Sequence, residues 1–341
     1  MRLITTDDVI DVLAKGKQRG LSFLFSKLTL DKLGRTKSAF DKSAIKHSNW
    51  WIIPEVKERW NKLITGYPKV AYETFMMNCY FKNKKNLRIL SIGSGSCSHE
   101  LELASYPNFD EIVCVDIADN RLKEAQKIAQ NKNLKNISFI CANALEYPFK
   151  SNFDIVFFHS SLHHFDDISA LIPNKIIPLL KSGGHLIINE YVGPTRLQHP
   201  RQQIQVINQG LKIIPSKFRK RYKTGWTKNR YRGSGLIRMI LADPSECIDS
   251  ASILPTIHTH FNPIEERPYG GNLLMHVLKD ISHHFTEIDS EKKEILNSLF
   301  ELEDKYLESN SSDFVFGIYQ LKKSYNFFSS SPNSHISINE L

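Results

Sequence analysis

The sequence predicts an α/β fold built on a doubly wound, mostly parallel sheet, and three observations support this. From residue 87 onward, short apolar segments alternate with helical periodicity, which is typical of a parallel sheet with right-handed crossovers. The segment 154–158, DIVFF, is almost continuously apolar, as expected for a strand covered on both faces. The stretch Leu87–Glu100, LRILSIGSGSCSHE, leads from an apolar strand through two glycines into a helix start, an arrangement that brings backbone close to a ligand.

We predict seven strands, the last two of which follow a long insertion. Helical periodicity fills most of the intervals between them. The segment 168–180 is predicted as a kinked or broken helix, because Pro173 and Pro178 interrupt it. The predicted strands cover residues 87–92, 112–115, 137–141, 154–158, 185–189, 261–267 and 314–321.

The same patterns define the domain limits. We predict a helical N-terminal cap over 1–85 and a sheet domain over 86–323, into which a lid is inserted at 191–254. The Ser/Asn-rich tail, 324–341, is predicted to be disordered and to have no catalytic role.

The N-terminal cap begins with a capping sequence, TTDD at 5–8, that predicts a helix start. Trp50 and Trp51 precede a helix predicted over 55–63. We interpret them as residues that fill the core; the alternative is that they form part of the wall of a ligand pocket. The first helix is predicted to pack on the protein through an apolar stripe formed by Val9, Ile10, Val12 and Leu13.

The composition restricts the class of protein. There are 45 Lys and Arg against 36 Asp and Glu in 341 residues, so the net charge of +9 permits an acidic partner such as nucleic acid, a phosphorylated substrate or an anionic membrane. The five cysteines lack metal-ligand spacing and are interpreted as reduced thiols of a cytoplasmic protein without a metal site. We expect neither a signal peptide nor a transmembrane segment, because the longest apolar candidate, Leu21–Leu30, is shorter than the ~20 residues of a spanning helix.

Positive charge is concentrated in one part of the insertion, which contains no acidic residue between 217 and 232. The alternatives are a solvated loop and a lid over an anionic acceptor. Aromatic residues interleaved with Lys and Arg also suit RNA, but no known RNA-binding module accompanies them, so nucleic acid is the less favoured partner. The segment contains Lys217, Arg219, Lys220, Arg221, Lys223, Lys228, Arg230 and Arg232, together with Phe218, Tyr222, Trp226 and Tyr231.

Short motifs follow three of the predicted strands, at Asp116, Asn143-Ala144 and Leu162–His164, and Gly183-Gly184 precedes the strand predicted over 185–189. Together with the glycine-rich turn, this series resembles the class I S-adenosylmethionine-dependent methyltransferases, and the resemblance covers roughly 87–190. It implies a Rossmann-like methyltransferase sheet, an enzyme, and S-adenosylmethionine as the cofactor.

The resemblance also implies a cofactor site at the strand ends. Gly93 and Gly95 match the glycine-rich turn, whereas Cys97 replaces its third glycine and Ser91 replaces an acid that is often found there. Asp116 stands about twenty residues beyond Gly95 and would accept both ribose hydroxyls. The side-chain amide oxygen of Asn143, which follows the third strand, would accept a hydrogen bond from the adenine amine. The predicted cofactor residues are Ser91, Gly93, Ser94, Gly95, Asp116, Ile117, Asn143, Ala144 and His159.

Candidate catalytic residues follow the fourth and fifth strands. His163 and His164 come after the fourth strand, and Glu190 ends the fifth. A histidine that takes a hydroxyl proton beside a carboxylate would suit O-methylation, and this arrangement is similar to that of sugar and natural-product O-methyltransferases. The structural alternative is that the histidines cap a helix or pack under the cofactor.

We therefore expect an S-adenosylmethionine-dependent O-methyltransferase of a small-molecule or saccharide acceptor, with an anionic acceptor among the candidates. The alternatives are an RNA or protein methyltransferase and a non-catalytic binding protein of the same fold. A dinucleotide oxidoreductase would use the same strand and turn, with Ser98 at its third glycine position. The sequence identifies neither the acceptor nor the oligomeric state.

Overall fold

The computed structural model describes residues 1–19, 49–150 and 152–323, and within these ranges the strands form one seven-stranded sheet. The strands are β1 (Leu87–Ile92), β2 (Phe109–Asp116), β3 (Ile137–Cys141), β4 (Phe153–His159), β5 (Leu180–Tyr191), β6 (Phe261–Gly270) and β7 (Phe314–Leu321). Their order is β3-β2-β1-β4-β5-β7-β6. The first five strands are parallel, and β7 runs antiparallel between β5 and β6. The predicted doubly wound, mostly parallel sheet is therefore confirmed.

Helices precede the sheet and connect its strands. The segment 168–180 is broken, as predicted: a short α-helix passes into π and 3-10 turns at its two prolines. The α-helices of the described residues are α1 (Thr6–Arg19), α2 (Pro54–Thr65), α3 (Tyr72–Met76), α4 (Ser98–Leu103), α5 (Asp119–Asn131), α6 (Ile168–Leu171), α7 (Arg201–Ile213), α8 (Leu236–Ala242), α9 (Ile253–His260), α10 (Leu274–Leu278) and α11 (Ser290–Leu307).

The two faces of the sheet are covered by separate apolar clusters. Along β4, Ile155 and Phe157 pack with residues of α3, α4 and α5, whereas Val156 and Phe158 pack with α6 and α9. Successive side chains of a strand point to opposite faces, so burial on both faces explains the continuous apolar run. Trp50 belongs to a third cluster with α7, α10 and α11.

Several element limits differ from the predictions; β2, for example, begins at Phe109 rather than at residue 112. β5 begins at Leu180, before its two glycines, because the chain bulges there: Leu180 pairs with Phe153, but His185 pairs with Ile155. β6 continues to residue 270 as an edge strand, and its two prolines lie at shifts of register, where a missing N–H is tolerated.

The predicted inward orientation of the α1 apolar stripe is wrong. Val9, Val12 and Leu13 are exposed, and the buried side chains of this helix include two acids. The reason is electrostatic: the Asp8 carboxylate accepts a hydrogen bond from Arg238 Nε at 2.7 Å. The helix therefore turns its acidic side toward the insertion.

Two further expectations concern Leu21–Leu30 and the tail 324–341, which lie outside the described residues. Among the helices that the structure describes, none combines the length and the apolar character needed to cross a bilayer. Of the tryptophans interpreted as core residues, Trp50 is buried and Trp51 is half exposed.

Candidate active site

A cavity of about 1340 Å³ lies at the carboxyl ends of the central strands, where open α/β sheets bind ligands. Most small-molecule sites enclose ~300–1,000 Å³, so this cavity has room for two ligands. One part is formed by the turns after β1, β2, β3 and β4, and the other by α2, the insertion and α10. Of the nine predicted cofactor residues, all but Ser91 line it.

The turn after β1 requires glycine at its first position. Gly93 has φ +70°, and a Cβ there would lie 2.6 Å from Ser161 Cβ. Gly95 also has a positive φ. Cys97 adopts the left-handed region as well, with φ 53°, and its buried thiol lies 3.4 Å from Ser94 Oγ. The turn thus keeps a glycine-like backbone although the third glycine is absent.

Asp116 is fixed at the end of β2 by the backbone of two turns. Its Oδ2 accepts a hydrogen bond from Gly95 N at 2.8 Å, and its Oδ1 accepts one from Ala118 N at 2.7 Å. Each carboxylate oxygen can accept a second hydrogen bond. The side chain lines the cavity and is therefore positioned to accept hydroxyl donors from a ligand.

Asn143 organises the turn after β3. Its Oδ1 accepts a hydrogen bond from Leu145 N at 3.1 Å, and its Nδ2 donates to Glu146 Oε1 at 2.8 Å. Ala144 packs against the apolar cluster below the sheet end. Both residues and Ile117 line the cavity. The structure therefore brings together the residues predicted to lie around the adenine.

A carboxyl group from α4, that of Glu100, lies beside Ser91, the position where an acid is often found in the proteins that the sequence resembles. Ser91 Oγ donates a hydrogen bond to Glu100 Oε1 at 2.6 Å. Glu100 is buried, lines the cavity, and has an Oε2 without a hydrogen-bond partner in the described part of the chain. Burial raises the pKa of Glu100, although His99 and Ser91 oppose this effect. The sequence analysis did not identify Glu100 as a candidate site residue, although its carboxyl group is the hydrogen-bond partner of Ser91.

Two further cavity residues were also missed, Tyr72 of α3 and His99 of α4. The Tyr72 hydroxyl lies 3.0 Å from His159 Nδ1, and the His99 ring stacks on that of His159 with a centroid distance of 3.7 Å. Burial, helped by the charge of His99, lowers the pKa of His159 well below its usual value. His159 is therefore a neutral, tightly packed part of the cavity wall.

His163 and Glu190 form the predicted pair. His163 Nδ1 donates to Glu190 Oε2 at 2.7 Å, while Glu190 Oε1 accepts from the backbone N–H groups of Ser161 and Leu162 at 2.6 and 2.8 Å. Glu190 is fully buried behind the cavity wall, and His163 lines the cavity. Glu190 therefore orients His163 and the turn around it.

His164 contacts the insertion instead. Its Nδ1 lies 3.1 Å from Ser245 Oγ, and the hydroxyl of Ser245 donates to Asp243 Oδ1 at 2.6 Å. The charges of His164 and His163 lower the pKa of Glu246 against the effect of its burial. The potential ligand atoms of two groups, His163 with Glu246 and Cys247 and His164 with Asp243 and Glu246, lie within 4.8 Å of one another, a spacing that could hold a cation. We interpret these groups as a hydrogen-bonded, ionic network that fixes the insertion over the strand ends.

The second part of the cavity has an aromatic wall. The rings of Trp50 and Trp60 meet edge to face at 4.6 Å, and those of Tyr191 and Phe314 at 5.3 Å. Tyr269 adds a ring whose hydroxyl donates to Asn189 Oδ1 at 2.5 Å. Trp50 is thus both a core residue and a wall residue.

The cations of the basic segment that reach the cavity are engaged by the protein itself. Arg221 pairs with Asp280 at 2.6 Å. Lys228 Nζ donates to the carbonyl oxygens of His276 and Lys279 at 2.5 and 2.6 Å. Burial lowers the pKa of Lys228 to about 7. These two residues stabilise the insertion and leave little net positive charge toward a ligand.

The known proteins that this chain is similar to include methyltransferases. Residues 83–230 match the family model of a methyltransferase domain. The chain is 29% identical over 108 residues to the uncharacterised methyltransferase YcgJ of Bacillus subtilis, covering 31% of this chain and 42% of that protein. It is 33% identical over 98 residues to the uncharacterised protein YafE of Escherichia coli, covering 28% and 45%. The crystal structure of YcgJ is similar over 74% of this chain and 97% of that chain, with 18% identity and a TM-score of 0.41.

The chain spans less than half the length of these two curated relatives. The matched domain, the strand order and the glycine-rich turn define the class I methyltransferase fold, whose cofactor is S-adenosylmethionine. The residues present fit this cofactor: the turn at Gly93 admits no side chain, and Asp116 offers acceptors for a ribose. Glu100 offers an ammonium group a buried oxygen that has no hydrogen-bond partner among the described residues. The predicted fold and cofactor are confirmed.

Proposed function

We propose that this protein transfers the methyl group of S-adenosylmethionine to a hydroxyl of a small acceptor. The observation that carries this proposal is the His163–Glu190 pair, at 2.7 Å, in which His163 lines the cavity that the predicted cofactor residues also line. When bound, the cofactor supplies an electrophilic methyl group. The chain must then align the acceptor with that group, exclude water, and remove the hydroxyl proton.

His163 is the proposed general base. Burial lowers its pKa, but the charge and the hydrogen bond of Glu190 outweigh this effect, so the pKa of His163 is raised. Because Nδ1 donates to Glu190, the neutral ring has its lone pair on Nε2. That nitrogen would take the proton of the acceptor hydroxyl, and Glu190 would stabilise the imidazolium that forms.

The wall of the second cavity part indicates the class of acceptor. Its aromatic rings suit a molecule with an apolar face, such as a saccharide ring or another small natural product. The pairing of Arg221 with Asp280 and of Lys228 with carbonyl oxygens argues against an anionic acceptor. We therefore favour a small, uncharged acceptor with at least one hydroxyl.

Transfer of labelled methyl groups into a cell extract tests the acceptor class. The chain is incubated with S-adenosylmethionine labelled on its methyl group, and the products are fractionated by size and solvent. We expect the label in the small-molecule or glycan fraction, and as a methyl ether. Label that enters RNA or protein would contradict the proposal, and binding of the cofactor without any transfer would favour a non-catalytic protein.

The pH dependence of methyl transfer tests the role of Glu190. Only neutral His163 can accept a proton, so kcat/KM is expected to fall as the pH drops through the raised pKa of His163, above the usual 6.5. In Glu190→Gln the carboxylate charge is lost, and the acidic limb should move to lower pH while the rate at high pH also falls. An acidic limb that stays in place would show that Glu190 does not set the pKa of the catalytic group.

A further inference from the structure

Eight apolar side chains are exposed on the N-terminal segment, α1 and α8, each with between 39% and 69% of its surface accessible. Leu236 N and Ile237 N donate to the carbonyl oxygens of Arg2 and Leu3 at 2.9 and 3.2 Å, which joins these elements. On each helix the exposed residues are spaced by three and four positions and share one side. We call the set the α1–α8 face: Leu3, Ile4, Val9, Val12, Leu13, Ile237, Ile240 and Leu241.

The acids of α1 hold the α1–α8 face outward. Asp8 accepts hydrogen bonds from Gly235 N at 2.9 Å and Arg238 Nε at 2.7 Å. Turning the apolar side inward would leave buried charges without partners, which is costly. The other ion pairs on the inner side are Asp7–Arg232 at 3.6 Å, Asp11–Arg221 at 3.5 Å and Asp11–Arg238 at 3.6 Å.

The surface beside the α1–α8 face is cationic. No acidic residue occurs between 213 and 242. Ile10 of α1 lines a cavity of about 320 Å³ together with Trp226, Arg230 and Arg232, so the basic segment adjoins the first helix. An apolar surface flanked by a Trp and by Lys and Arg is typical of proteins that lie on a bilayer. The exposed residues of this border are Trp226, Arg230 and Arg232, of which Arg232 also pairs with Asp7.

We propose that the α1–α8 face docks on a lipid bilayer that contains anionic headgroups. Its apolar side chains would insert among the headgroups, and the border cations would bind the anionic lipids. A second copy of the chain fits less well, because its own cationic border would face this one. Met239 of α8 lines the large cavity, so docking would bring that cavity within one helix of the bilayer. This inference does not depend on the proposed methyl transfer.

Sedimentation of the full chain with lipid vesicles tests the docking surface. We expect binding to vesicles of phosphatidylcholine mixed with phosphatidylglycerol, much weaker binding to phosphatidylcholine alone, and a decrease as salt is added. The double variant Val12→Gln, Ile240→Gln should bind the mixed vesicles at least ~10-fold more weakly, because two apolar anchors are lost. The matched control is Ile128→Gln, Ile264→Gln, which changes equally exposed residues of α5 and β6.

The outcomes separate the alternatives. Cofactor affinity equal to that of the unmodified chain shows that both double variants are folded. Failure of the unmodified chain to bind either type of vesicle, or equal loss of binding in both variants, would overturn the proposal. A dimer that dissociates only in the Val12→Gln, Ile240→Gln variant would also overturn it, because the face would then join two copies.

Discussion

Replacing His163 by Asn is expected to reduce kcat by ~10²–10⁴-fold, the range associated with loss of a general base. The Asn side-chain amide can still donate a hydrogen bond toward Glu190 Oε2, to which His163 Nδ1 donates at 2.7 Å, but it cannot accept a proton. The dissociation constant of S-adenosylmethionine should change little. The measurements are single-turnover methyl transfer and calorimetric titration of the cofactor.

His164→Gln provides the matched comparison for this variant. The two histidines are adjacent and both line the cavity, but His164 contacts Ser245 of the insertion rather than Glu190. We expect a loss of activity at least tenfold smaller than that of His163→Asn. Equal losses in both variants would point to a structural role for the pair, and full activity of His163→Asn would eliminate the proposed base.

Replacing Asp116 by Ala is expected to weaken cofactor binding by roughly 1.5–3 kcal/mol, the range for hydrogen bonds to a charged group. This corresponds to a ~10–150-fold rise in the dissociation constant. The carboxylate holds Gly95 N and Ala118 N, so its loss also loosens the turn that receives the cofactor. Calorimetric titration with S-adenosylmethionine and with its demethylated product measures the effect.

Two other variants make the Asp116 experiment specific. Asp116→Asn keeps an oxygen acceptor and should lose less affinity than Asp116→Ala. Asp119→Asn alters an acid three residues further on, which pairs with Lys123 at 2.6 Å and lies outside the cavity lining. Its affinity should equal that of the unmodified chain. A similar loss in Asp119→Asn and Asp116→Ala would mean that charge near the turn, rather than direct contact, controls binding.

The parts of the site that the sequence predicts are those set by short stretches of chain. Gly93 and Asp116 lie where their strands end. A strand that ends in a polar residue can be recognised from the sequence alone. The contact between His163 and Glu190 could also be predicted from the sequence, because the ends of two neighbouring parallel strands meet at one edge of the sheet. Their roles in catalysis and cofactor binding remain predictions.

The parts that the sequence did not predict depend on distant partners. The apolar periodicity of α1 indicated an inward stripe, but Asp8 and Arg238, which determine its orientation, are 230 residues apart. Tyr72 reaches His159 across 87 residues, and no local pattern marks it as part of a site. In both cases the deciding interaction is tertiary, which overrides the periodicity of a single helix.

The hydrogen bond between Ser91 and Glu100 places a carboxyl group beside the glycine-rich turn, although the strand position that often holds an acid is occupied by serine. The carboxylate next to the turn comes from a helix, and the strand position nine residues earlier holds it by a 2.6 Å hydrogen bond. A search pattern that demands an acid on the strand would miss the carboxyl group of Glu100, which lies beside that strand position. The strand position and the first turn of the following helix are therefore two places in the sequence from which a carboxyl group can reach the start of this turn.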